Sequence, residues 1–150
     1  MLFQANELNR TIEYYKEQLD QLDEVAADLK TAPGKWSKKE ILGHLIDSAQ
    51  NNLRRFIVAQ YEESPTILYQ QDDWVRLNNY QGKRLEDVIE LWYLTNKQIV
   101  GVLENTDRIA AKRTCNVGTL QTINWLGTDY IKHLKHHLHQ ILNLEAISYP

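Results

Sequence analysis

"YIKHLKHHLHQIL", residues 130–142, carries four of the five histidines in a chain of 150 residues. Tyr130, Leu134, His137 and Ile141 recur at steps of four and three, the spacing of one face of an α-helix. Leu120, Ile123 and Gly127 extend that seam upstream and Leu144 extends it downstream. The pattern predicts a helix over about 120–147, with Thr119 as its cap. A residue advances about 100° around a helix, so His133 and His137 differ by roughly 40° and face the same way. His137 sits in the seam itself. His136 falls about 100° to one side and His139 about 160° to the other, where both read as solvated surface.

Three more stretches share this period. Leu8, Ile12, Tyr15, Leu19, Leu22, Ala26 and Leu29 predict a helix over about 6–30, stopped by Pro33 and Gly34. "WSKKEI" is a strong start signal for the next. Ser37 is a good N-cap, Glu40 completes a capping box, and Trp36 and Ile41 are placed for a hydrophobic staple. That helix is predicted over about 38–62, with Leu42, Leu45, Ala49, Leu53 and Phe56 on its apolar face. A third, over about 84–105, carries Leu85, Val88, Trp92, Ile99 and Val102. No strand of clear alternation appears, and "KRTCNVGTL" is the one doubtful stretch. Four amphipathic helices make an all-α four-helix bundle the expected architecture, as a single domain over residues 1–150. The connection "SPTILYQQDDWVRLNNYQGK" is long enough to permit a crossover, and a short helical turn is expected around "DDWVRLNN".

The totals exclude several function classes. Net charge is −3, with no basic stripe, which argues against a nucleic-acid partner. One cysteine, Cys115, leaves no internal disulfide framework or cysteine-rich zinc site, and reads as an ordinary loop thiol. No apolar run approaches the ~20 residues of a membrane span, and the N-terminal stretch does not read as a signal peptide. A cytoplasmic location is therefore expected.

The histidines carry the chemical argument. A neutral imidazole on an apolar face must satisfy its ring nitrogens or lose about 1–3 kcal/mol per unmatched group. Two such rings one turn apart serve each other poorly, whereas one divalent ion can serve both. The natural third ligand is His44, in "ILGHLIDSAQNNLRRF" at the edge of the second helix's apolar face. Ser48, Asn51 and Arg55 follow it on the same flank, and Asp47 points away. The plainer reading makes these histidines satisfied core residues.

These motifs resemble a known family. "KWSKKEILGHLIDSAQNNLRRF", "DYIKHLKHHLHQI" and "QDDWVRLNNYQ" are similar to signature segments of the DinB/YfiT-like metalloenzyme superfamily, in its short DinB-like branch. The resemblance spans about residues 8–145. It implies a four-helix bundle, often dimeric, whose three metal ligands correspond to His44, His133 and His137. It also implies zinc or nickel as the ion, and thiol-dependent transferases or isomerases among the relatives. No thiol-recognition motif is matched here.

Three neutral ligands leave an ion at least one open position, which is typical of catalytic rather than structural sites. Such an ion could acidify water for hydrolysis or hold a thiol as thiolate. The expected function is thus a metal-dependent enzyme on a small molecule, a hydrolase or a transferase using a low-molecular-weight thiol. A non-catalytic metal- or small-molecule-binding bundle of a stress response is the alternative, and an interaction bundle without metal is the third. Arg55 and Asn51 are candidates for an anionic substrate group and Trp74 for the pocket mouth. Asp73 and Gln140 are candidates to orient a ligand histidine, and Tyr130 to protonate a leaving group. Each also has a structural reading: a surface salt bridge or helix-end contact for Arg55 and Asn51, a plug on the bundle end for Trp74, a helix cap for Asp73, an interhelical contact for Gln140 and a core position for Tyr130.

Overall fold

A computed structural model describes residues 1–149. Its helices are α1 (Leu2–Leu19), α2 (Glu24–Asp28), α3 (Lys38–Val58), α4 (Gln71–Asn78), α5 (Leu85–Asn105) and α6 (Ile123–Leu142). A short antiparallel hairpin, β1 (Thr114–Asn116) and β2 (Leu120–Thr122), precedes α6. The four long helices, α1, α3, α5 and α6, form the bundle. Leu8, Leu42, Leu45, Phe56, Trp92, Ile99, Leu134 and Leu138 fill its core.

The helix ends follow local chemistry. Ser37 accepts from the Glu40 backbone N–H while the Glu40 carboxylate accepts from the Ser37 N–H, so the expected capping box opens α3. The first predicted helix is in fact two. Asp23 accepts from the Ala26 N–H and starts α2 as a new helix, which leaves Ala26 and Leu29 exposed rather than in the core. The last helix is shorter than its periodicity implies at both ends. Leu120–Thr122 pair as β2, so Thr122 rather than Thr119 is the cap. Asn143 adopts a left-handed φ of 54°, a conformation asparagine tolerates, and ends α6 at Leu142. Leu120 and Leu144 consequently lie outside the core, at 60% and 42% exposure. Helix α3 also stops earlier than predicted, at Val58. The expected helical turn in the long connection is α4.

The topology departs from a simple meander. Helices α1 and α3 each pack against both α5 and α6, so α1 lies diagonal to α3, and α5 to α6. The diagonal crossings are therefore made by the first and third connections. The long second connection joins packed neighbours instead. It returns α4 and Tyr80 onto α3, where the Tyr80 hydroxyl donates to Asp47 at 2.6 Å. Helix α2 is fastened to α3 by the buried Lys39, whose ammonium pairs with Glu24 at 3.0 Å and Asp28 at 2.6 Å.

Candidate metal centre

His44 comes from the second turn of α3, and His133 and His137 come one turn apart from α6. The predicted inward phase brings the three together: one ring nitrogen from each lies within 4.8 Å of the other two. His44 Nε2 and His133 Nε2 are 3.2 Å apart. Two nitrogens each about 2.0–2.1 Å from a tetrahedral ion would stand roughly 3.3 Å apart, so this pair fits such an ion.

The outer nitrogens are held by neighbours. His137 Nδ1 is 3.0 Å from Gln140 Oε1, an acceptor, which assigns the proton to Nδ1 and frees Nε2. His133 Nδ1 lies 3.4 Å from Ser48 Oγ, a hydroxyl able to accept from it or donate to it. His44 Nδ1 is buried without a protein partner among the described residues. Burial, reinforced by the adjacent imidazoles, pushes His133 down to about 3 and His44 down to about 4. Burial also lowers His137, against the opposing bond from Gln140. All three are neutral at pH 7, the form that binds metal.

Aromatic rings enclose the cluster. Trp36 lies 5.1 Å from His44 between ring centroids, and Tyr149 lies 5.2 Å from His133. Trp36, expected only as a staple, thus also covers a ligand candidate, and nothing in the sequence pattern marked Tyr149. A cleft of about 720 Å³ reaches His137 and is lined by Leu29, Lys35, Trp36, Lys38 and Ile41. A second cavity, of about 310 Å³, reaches His44 and His133 and is lined by Arg55, Tyr69, Trp125, Asp129 and Tyr149.

The remaining candidates divide. Ser48 and Gln140 touch histidines of the cluster, and Arg55 lines the smaller cavity. Asn51 turns back on its own helix and donates to the Asp47 carbonyl at 2.9 Å. Asp73 is an exposed residue inside α4, paired with Arg76 at 2.9 Å; it is neither a histidine partner nor the helix cap, a position taken by Gln70. Trp74 packs edge-on against Tyr69, at 5.7 Å between centroids, rather than lining the large cleft. Tyr130 is buried and its hydroxyl donates to Asn96 at 2.5 Å, which commits its proton to the core. His136 and His139 are not free surface. Their Nδ1 atoms bond the carbonyls of Ile147 and Glu145, both at 2.6 Å, and His139 Nε2 meets the Tyr15 hydroxyl at 2.7 Å. Cys115 is buried in β1 and donates to the Pro65 carbonyl, so it is not a loop thiol. None of the described helices is long and apolar enough to cross a membrane.

Comparison with known proteins follows the same lines. Residues 7–141 match the model of the DinB superfamily. A candidate metal-dependent hydrolase of Oceanobacillus iheyensis is 27% identical over 143 residues, covering 93% of this chain and 82% of the relative. Among solved structures, YfiT from Bacillus subtilis, described as a candidate metal-dependent hydrolase with an unusual four-helix bundle topology, superposes with a TM-score of 0.82 at 22% identity, covering 93% of this chain and 82% of YfiT. A point mutant of a mycothiol-dependent maleylpyruvate isomerase superposes with a TM-score of 0.79 at 12% identity, covering 97% of this chain. The chain spans only 62% of that isomerase's length. At these identities the two superpositions establish the fold alone.

Proposed function

The chain belongs to the DinB superfamily, and from the geometry of its histidines we propose that it is a metal-dependent enzyme acting on a small molecule, with His44, His133 and His137 as the ligands of one divalent ion. The observation that carries this reading is the convergence of three buried or half-buried imidazoles, from two helices, within 4.8 Å. Core histidines with no ligand would not ordinarily bring two Nε2 atoms to 3.2 Å of each other while leaving His44 Nδ1 buried without a protein partner among the described residues.

The ion, when bound, would supply Lewis acidity and acidify a water at its open position, with zinc the first to test and nickel the second. The chain's own residues do the rest. Gln140 and Ser48 fix the ring orientation of His137 and His133. Trp36 and Tyr149 keep bulk water from the faces of His44 and His133. The cleft past Trp36 and Ile41 gives a small substrate a route to His137, with Lys35 and Lys38 lining it. Tyr130, bound to Asn96, takes no part in proton transfer.

Hydrolysis is the leading reaction class, supported by the hydrolase role ascribed to the Oceanobacillus relative and to YfiT. Thiol-dependent transfer is the second reading, supported by the fold shared with the mycothiol-dependent isomerase. Turnover of activated esters without added thiol would favour the first, and turnover only with a low-molecular-weight thiol the second. The primary test is metal content by elemental analysis on wild type and His44→Ala, purified without a histidine tag or chelator. About one ion per chain in wild type, lost in the variant, is expected. No metal in either, with reconstitution also failing, would overturn the reading.

A further inference from the structure

Arg55 is the one candidate whose surroundings call for a ligand that the metal reading does not supply. Its guanidinium carries five N–H donors. Nε and Nη2 both donate to the Ile67 carbonyl, at 3.2 and 3.0 Å, and Nη1 donates to Asn52 Oδ1 at 3.3 Å. One hydrogen is left on each terminal nitrogen for an external acceptor such as a carboxylate. No carboxylate among the described residues forms an ion pair with Arg55, although the side chain is half-buried. Its guanidinium lies 5.8 Å from the Tyr69 ring centroid. The backbone bonds to Ile67 hold the fork rigid, so little side-chain freedom is left to lose on binding.

The same cavity reaches His44 and His133. We propose that it is the carboxylate subsite of the substrate, with Arg55 holding the anion and the reacting group directed at the histidine cluster. The direction of the reacting group rests on the metal-centre reading; the binding of the anion does not. A monoanionic carboxylate fits better than a phosphate dianion. Among the described residues only one cation lines the cavity, and Asp129, also in its wall, would repel the second charge. Tyr69, Trp125 and Tyr149 supply aromatic surface for an apolar body attached to the carboxylate.

The test uses benzoate and its neutral isostere benzamide on metal-free protein, by calorimetry and ligand-observed NMR. Benzoate is expected to bind at least about tenfold more tightly than benzamide. Arg55→Gln should weaken benzoate by about tenfold or more, and Arg55→Lys by less. Asp129→Asn, which removes the opposing charge and can still accept from the Tyr149 hydroxyl, should tighten benzoate severalfold. If Arg55→Gln fails to fold, Asp129→Asn and the benzoate-to-benzamide ratio decide alone. Equal binding of the two probes overturns the proposal. So does tighter binding of inorganic phosphate, or benzoate binding that appears only with metal and survives Arg55→Gln. That last result leaves the metal centre standing. A chain that takes up no metal yet binds benzoate through Arg55 keeps the subsite and loses the metal centre.

Discussion

Gln140 shows how much a single side chain can contribute without being a ligand. Its Oε1 accepts from His137 Nδ1 at 3.0 Å, which fixes both the tautomer and the ring plane. Replacing such a partner typically costs 10–100-fold in metal affinity. Gln140→Leu should therefore weaken metal binding by about that factor in a chelator-competition titration, with the melting temperature of the metal-free protein nearly unchanged because residue 140 is exposed. Unaltered affinity would show that His137 needs no such support. The inward phase of His133 and His137 was legible because helical geometry alone sets it. Arg55 was legible only as a cation on the right flank. Its anchoring to Ile67 crosses 12 positions of chain and has no local signature. His136 and His139 misled for the same reason. Their Nδ1 partners lie in the segment after α6, whose path depends on the left-handed turn at Asn143, and the second partner of His139, Tyr15, lies on α1.

At the scale of elements, α3 organises the site, and its register depends on a close approach at Gly43. A Cβ there would stand 2.1 Å from the Tyr80 ring, which is itself fastened to Asp47. Gly43→Ala must displace Tyr80 from α3. Overpacking of this kind costs about 1–3 kcal/mol, so a melting temperature several degrees lower is expected in a thermal scan. Gly43 adjoins His44, so a displaced register should also loosen metal binding; an unchanged melting temperature would mean that the Tyr80 segment moves freely. The start of α3 could be read from sequence because a capping box is local. The break between α1 and α2 could not be read from period alone, since Leu22, Ala26 and Leu29 continue the seam. Asp23, a good cap, was the available signal. The hairpin falls in the one stretch marked as doubtful, and its three-residue strands give alternation too little length to register as strands.

For the whole molecule, acid should act on the histidine cluster with a definite sign. In the unfolded chain histidines titrate near 6.5, whereas burial holds folded His44 near 4 and His133 near 3. Between those values the unfolded chain binds more protons, so the cluster's contribution to stability is present above about pH 6.5 and is lost as pH falls toward 3. Asp47 works the other way. Burial raises it from 3.8 to about 6, so it favours the folded state as pH falls through that window. Two strongly depressed imidazoles, with His137 lowered as well, outweigh one raised carboxyl, so the metal-free protein should melt at progressively lower temperature between pH 6.5 and 4.5. A metal held by the proposed triad would bind the same neutral rings, so protons would compete with it directly. Zinc at about 100 times its dissociation constant would add about 2.7 kcal/mol at pH 7, and that gain should vanish on acidification. Changing both His133 and His137 to leucine should abolish the zinc-linked gain and much of the acid sensitivity, while leaving the metal-free protein at pH 7 as stable as wild type or more so. Thermal scans of both proteins at pH 7 and pH 5, with and without zinc, separate the cases. A wild-type melting temperature indifferent to zinc at pH 7 would mean that these imidazoles are packed as ordinary core residues.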